Sequence, residues 1–136
     1  MAFAYFIQLI VTLSRLYESS THMDNLVISR LARVFTYMEQ HVASAVSLEK
    51  LMDISGMSAS TLNRAFKRAT RFSPIEYHLR LRISHACRRL ETSPRSITEI
   101  AYDLGFSDSN YFTRQFSKII GIPPGIYRKN RKIPTS

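Results

Sequence analysis

Two sets of polar side chains in this 136-residue chain share one spacing: Ser60, Asn63, Arg64 and Lys67, and again Asn110, Thr113, Arg114 and Ser117. On a helix, positions i, i+3, i+4 and i+7 form a single stripe. The residue types suit reading the edges of nucleic-acid bases. An arginine guanidinium can donate two hydrogen bonds to guanine O6 and N7, and an asparagine amide can pair with adenine N6 and N7. Arg64 and Arg114 are expected in the first role, Asn63 and Asn110 in the second. Ser60, Ser109 and Thr113 are small donors and acceptors that also fit a thymine methyl. Lys67, Arg68, Arg80, Arg82, Ser117 and Lys118 are placed for phosphates, where contacts add affinity without reading sequence. The competing reading for each residue is a solvated helix surface. Arg88 and Arg89 fit that competing reading, or pairing within the protein, better than DNA.

The charge distribution points the same way. The formal charge is +9, but three basic and three acidic residues balance within residues 1–46, so the whole excess lies in 47–136. A segregated basic half fits a polyanionic partner.

Each stripe must sit on the second helix of a pair. Ser96 followed by Glu99 reads as a capping box, and Ile97, Ile100, Ala101 and Leu104 give the first of these helices an apolar face. Gly105 permits a sharp turn, and Phe106 plugs the space behind it. The next helix starts near Ser107 to Ser109 and stops at Gly121, with Pro123 and Pro124 beyond. Phe112, Phe116 and Ile119 face inward. Ser47 to Thr70 repeats the arrangement: Ser47 and Ser58 cap, Gly56 turns, and Leu62, Ala65, Phe66 and Ala69 are buried. Between the motifs, Ser73-Pro74-Ile75-Glu76 starts a helix running to about Glu91, with Ile75, Leu79, Ile83, Cys87 and Leu90 as its apolar stripe.

Ahead of the motifs, a structural helix is expected from about Leu26 to Val42, buried through Leu31, Val34, Phe35, Met38 and Val42. Residues 18–25 read as a linker. Residues 2–17 read as an extra helix, apolar nearly all round, which either packs on the chain, dimerises, or ends a domain absent here. The expected organisation is all-α. Residues 1–25 are helix and linker. Residues 26–132 hold helix-turn-helix motifs at 47–70 and 96–121 joined by a long linker helix, with a short closing helix from Pro123 to about Lys129. Residues 133–136 are a tail.

The two motifs align with each other. Leu48, Leu51, Gly56, Met57 and Ser58 match Ile97, Ile100, Gly105, Phe106 and Ser107 at an offset of 49. With one extra residue, Leu62, Asn63, Arg64 and Phe66 match Phe112, Thr113, Arg114 and Phe116, and Pro74 and Tyr77 match Pro124 and Tyr127. Caps, turns, cores and outer stripes coincide together, so the chain holds two copies of one helical unit.

From about Ile28 to Lys129 the sequence resembles the AraC/XylS family of bacterial transcription regulators. The matching text is SLEKLMDISGMSASTLNRAFKRATRFSPIEYHLRLRISHACRRL, then SITEIAYDLGFSDSNYFTRQFSKIIGIPPGIYR. The resemblance implies a seven-helix DNA-binding domain whose two recognition helices enter successive major-groove faces of one asymmetric site. Two positions depart from the family pattern. Arg71 stands where glycine is usual, the position repeated as Gly121, and so must adopt a left-handed conformation or end its helix differently. Met52 stands where a small residue is frequent.

Other chemistry is poorly supported. Paired carboxylates, a Ser-His-Asp order and a glycine-rich phosphate loop are missing from the sequence. His22, His41, His78 and His85 lack metal-ligand spacing with Cys87, so no metal and no cofactor is expected. Modules of this type accompany methyl transfer to cysteine in DNA repair, but Cys87 lies on an apolar stripe and reads as core. An RNA-binding or protein-interaction module would be a third reading, yet the aromatic residues fall at core spacing rather than as a stacking platform. The expected partners are double-stranded DNA, RNA polymerase through exposed Asp103 or Asp108, and a second copy of the chain through the N-terminal helix or a missing domain. A single cysteine, no evident signal peptide and an apolar run shorter than the roughly 20 residues of a membrane span point to the cytoplasm.

Overall fold

The computed structural model describes residues 10–11 and 22–131. Among these, all regular structure is helical: α1 (His22–Gln40), α2 (Leu48–Ser55), α3 (Ala59–Thr70), α4 (Pro74–Thr92), α5 (Ile97–Asp103), α6 (Ser109–Ile120) and α7 (Pro124–Arg131). The extra helix expected over 2–17 and the tail at 133–136 lie outside the described residues. The exceptions are Ile10 and Val11, which are helical and exposed. Of the linker expected over 18–25, residues 22–25 belong to α1, which starts at His22, and the rest lies outside the described residues.

The chain forms two units. Among the described residues, one comprises 10–11, 22–41 and 45–79; the other comprises Val42–Ser44 and residues 80–131. Helix α4 gives its first residues to the former and the rest to the latter. The short Val42–Ser44 stretch between α1 and α2 belongs with the C-terminal unit.

In the N-terminal unit, Leu31, Val34, Phe35 and Met38 of α1 are buried as their spacing predicts, with Leu51, Leu62 and Phe66 from the motif. Three rings form a cluster: Phe35 lies 4.9 Å from Phe66, and Tyr77 lies 5.3 Å from each of them. Burial pushes the Tyr77 phenol well above its ordinary range, with the Glu39 carboxylate adding to the effect. The expected contribution of Ile75 fails. Ile75 is exposed, and α4 instead turns Pro74, Tyr77 and His78 inward, with His78 Nε2 3.3 Å from the His41 carbonyl. Pro74 fixes the start of the helix one residue before Ile75, so the inward face is set by Pro74 and its neighbours four residues on.

The C-terminal unit buries Ile83, Ala86, Cys87 and Leu90 of α4, Ile100, Ala101 and Leu104 of α5, and the rings of α6. Phe106, Phe112, Phe116 and Tyr127 run as a chain, with successive centroids 5.0, 5.8 and 5.6 Å apart. Burying each such ring stabilises by about 1.5–3 kcal/mol. The Tyr127 hydroxyl donates to Glu91 Oε1 at 2.5 Å. Burial and this bond push the phenol above its ordinary range. Cys87 is a core residue, 1% exposed. Burial pushes its thiol up to about 11.

Candidate nucleic-acid interface

Local chemistry sets the ends of both stripe-bearing helices. Helix α3 starts at Ser58, whose Oγ accepts from the Thr61 backbone N–H at 3.2 Å, and ends at Arg71, whose N–H donates to the Lys67 carbonyl at 2.7 Å. Arg71 adopts φ 71°, so of the two alternatives left open by the missing glycine the left-handed conformation is what occurs. Helix α6 starts at Asp108, whose carboxylate accepts from the Asn110 N–H at 2.8 Å, and ends at Gly121 with φ 95°. The cap of α6 is thus Asp108 and not Ser107, the residue that aligned with Ser58. Ser107 is the one extra residue of the second turn. Both are good caps, so residue type could not choose between them.

The helices preceding them are also capped as expected. Ser47 Oγ accepts from the Lys50 N–H at 3.2 Å, and Ser96 Oγ accepts from the Glu99 N–H at 3.1 Å. The Ser96 hydroxyl in turn meets Glu99 Oε1 at 3.2 Å.

With the helices fixed, the first stripe places Ser60, Arg64 and Lys67 in solvent and Asn63 half-buried. Arg64 Nη2 donates to Ser60 Oγ at 3.3 Å, so these two side chains lie along the helix together. The second stripe exposes Asn110 and Arg114 and leaves Ser109, Thr113 and Ser117 half-buried. Neither helix contains an acidic residue; α3 adds exposed Lys67 and Arg68, and α6 adds exposed Lys118. Each unit therefore presents one positively charged helix whose outer face carries an arginine, an asparagine and hydroxyl donors. That combination can hydrogen-bond base edges while attracting phosphates.

Several basic residues have other employment. Arg82, expected at a phosphate, donates from Nε to the Val42 carbonyl at 2.9 Å and from Nη2 to the Ser44 carbonyl at 2.5 Å. Its guanidinium carbon lies 5.5 Å from the Phe106 ring centroid. The acceptors stand 40 and 38 residues earlier in the chain, so sequence spacing carried no sign of them. Arg80 is half-buried. Arg128 caps the end of α4, donating to the Leu90 and Ser93 carbonyls at 3.2 and 3.0 Å. Arg89 and Arg95 pair with Asp103 at 4.0 and 2.7 Å, so Asp103 is an ion-pair partner and Asp108 a helix cap. One exposed residue escaped the sequence reading: Tyr111, in the first turn of α6 beside Asn110, with its ring 6.2 Å from Phe106. Its type broke the polar stripe, and in the sequence it had no role of its own beyond the general core spacing of the aromatic residues.

A family profile described as a helix-turn-helix domain matches residues 51–130. The transcriptional activator RhaS of Escherichia fergusonii is 37% identical over 128 residues, which cover 93% of this chain and 45% of that protein. The chain spans less than half the length of the curated relatives it matches. Among solved structures, a transcriptional regulator with an AraC-type DNA-binding domain from Chromobacterium violaceum superposes with a TM-score of 0.73 at 27% identity, covering 78% of this chain and 95% of that one. The DNA-binding domain of AdpA, solved in complex with a target DNA, superposes with a TM-score of 0.69 at 30% identity, covering 74% of this chain and 90% of that one.

Proposed function

Since the chain belongs to the AraC/XylS family of bacterial transcription regulators, we propose that it binds a specific double-stranded DNA site with two reading heads, α3 and α6, and acts as the DNA-binding part of a transcription activator. The observation that carries this reading is the pair of matched, acid-free, solvent-facing stripes, each on the second helix of a capped helix-turn-helix. Arg64 and Arg114 are assigned to guanines, and Asn63 and Asn110 to adenines. Ser60, Ser109 and Thr113 serve as smaller base contacts. Lys67, Arg68, Arg80, Ser117 and Lys118 are assigned to phosphates. Arg82 leaves that set, because its guanidinium is occupied by two carbonyls.

Regulation, rather than an enzymatic step, is the activity proposed, with no metal or cofactor, and the compartment proposed is the cytoplasm. No helix among the described residues is long and apolar enough to cross a membrane. RNA polymerase and a second copy of the chain complete the proposed partners. For polymerase the proposed surface is that around Asp103 and Asp108, although Asp103 pairs with Arg89 and Arg95 and Asp108 caps α6, so neither acid is singled out.

The test is selection of bound sequences from a random duplex library, with the wild type and Arg114→Ala in parallel. The expected result is a two-part motif with halves about one helical turn apart, of which Arg114→Ala erases information in one half. No enriched motif, with weak binding that vanishes as salt rises, would leave phosphate attraction alone and overturn the proposal.

A further inference from the structure

Arg82 is built into the C-terminal unit in a way that phosphate binding does not need. Its planar fork spans two backbone carbonyls, Val42 O at 2.9 Å and Ser44 O at 2.5 Å. Between them, the Ala43 carbonyl occupies the space where a side chain on Gly105 would stand. The guanidinium also lies against the Phe106 ring, 5.5 Å from its centroid. Arg82, Val42–Ser44 and Gly105–Phe106 therefore form one packed assembly at the turn between α5 and α6. Phe106 is 4% exposed and touches the first turn of α6 twice, with its ring 5.0 Å from Phe112 and 6.2 Å from Tyr111. Those two residues follow Asn110 directly and precede Arg114 by less than a turn.

We infer that Arg82 is a positioning residue for the second reading head: by clasping Val42–Ser44 and lying on Phe106, it fixes the start of α6 and so the aim of Asn110 and Arg114. The inference rests on the DNA-reading role proposed above. The two carbonyls and the ring require a flat, forked donor. A lysine offers a compact point charge and cannot meet both carbonyls while covering the ring.

A phosphate contact at Arg82 would behave differently, and two measurements separate the roles. Arg82→Lys and Arg82→Gln are put through the library selection, and their affinity for the wild-type motif is followed against salt. If Arg82 positions α6, both variants lose about tenfold in base preference within the half that Arg114→Ala erases. The other half is kept, and the salt slope matches the wild type. If Arg82 binds phosphate, Arg82→Lys behaves as wild type. Arg82→Gln then loses about 0.9 from the salt slope with both halves of the motif intact. That result overturns the inference, as does equal loss in both halves or no change in either readout. Should the Arg82 variants fail to fold, Phe106→Leu removes the ring beneath the guanidinium while keeping an apolar plug. It must show the same one-sided loss, and an unaltered motif there overturns the inference. A wild type that selects no two-part motif would instead sink the DNA-reading role itself, before any variant is compared.

Discussion

In the first motif the chain leaves α2 through Gly56 at φ 67° and begins α3 two residues later from the Ser58 cap. In the second it leaves α5 through Gly105 at φ 85° and passes one residue more, Ser107, before the Asp108 cap. The hydrogen bonds differ accordingly. Gly56 N–H donates to the Met52 carbonyl at 2.8 Å, a single bond closing the left-handed residue back onto its helix. Gly105 N–H donates to Tyr102 and Phe106 N–H to Ala101, each at 3.0 Å, which is the paired Schellman arrangement with Phe106 as its buried apolar residue. The first turn is supported from within, since buried Ser55 Oγ accepts from the Met57 N–H at 3.2 Å and donates to the Met52 carbonyl at 3.3 Å. The second leans on Val42–Ser44, contributed from far earlier in the chain. Two copies of one unit thus reach the same helix pair with opposite tolerance for change at the turn.

The sharpest way to break that comparison is to give each turn glycine a methyl group. A Cβ on Gly56 meets nothing within 4 Å, whereas one on Gly105 would overlap the Ala43 carbonyl. Both substitutions incur the left-handed penalty of about 1–2 kcal/mol. Gly105→Ala must also displace a backbone segment, an overpacking cost of about 1–3 kcal/mol more. Chemical denaturation is expected to show Gly105→Ala losing about 3 kcal/mol or more, and Gly56→Ala about half of that or less. Equal losses would mean that Val42–Ser44 gives way freely and supports nothing.

This asymmetry also marks where the sequence stopped being informative. Helix caps, the turn glycines, the apolar faces of α1, α3 and α6, and both polar stripes follow from rules that act within a few residues, and the spacing displayed them. The left-handed Arg71 was legible for the same reason, through its repeat partner Gly121. Residues whose partners are remote were not. Arg82 looks like any exposed helix arginine until the carbonyls of Val42 and Ser44 arrive beside it. Ile75 continued a four-residue apolar rhythm that Pro74 and Tyr77 override once the ring cluster forms. Asp108 and Ser107 were equally good caps, and only the geometry of the longer turn decides between them.

A smaller effect separates the units by pH. Cys87 belongs to the C-terminal unit, and burial raises its thiol from an ordinary value of 9.0 to about 11. The unfolded chain therefore gives up this proton at lower pH than the folded one. The resulting stability is fully present below pH 9 and is lost as pH rises toward 11. On the order of 1 kcal/mol should disappear between pH 8 and pH 10 through this group. Cys87→Ala removes that part of the slope, whatever its constant cost in packing. Denaturation at the two pH values is the measurement, and an unchanged slope in Cys87→Ala would assign the alkaline loss to the raised phenols of Tyr77 and Tyr127 instead.

The two stripe-bearing helices, α3 and α6, end alike, and this permits the mildest test. Arg71 and Gly121 each donate one N–H four residues back, to Lys67 at 2.7 Å and to Ser117 at 2.9 Å. Both have positive φ, 71° and 95°. Only Arg71 has a Cβ in that conformation, and a Cβ on Gly121 would meet nothing within 4 Å, so packing does not decide either site. Arg71→Gly should therefore stabilise by about 0.5–1 kcal/mol, the steric gain being partly offset by the extra freedom of glycine in the unfolded chain. Gly121→Ala should cost a similar amount in the other direction. If the two substitutions shift the denaturation midpoint in opposite senses, the helix ends are equivalent and the difference between the repeats lies in the turns before α3 and α6. A loss of stability in Arg71→Gly would instead show that the arginine side chain contributes more than its backbone strain removes, and would extend the asymmetry from the turns to the helix ends.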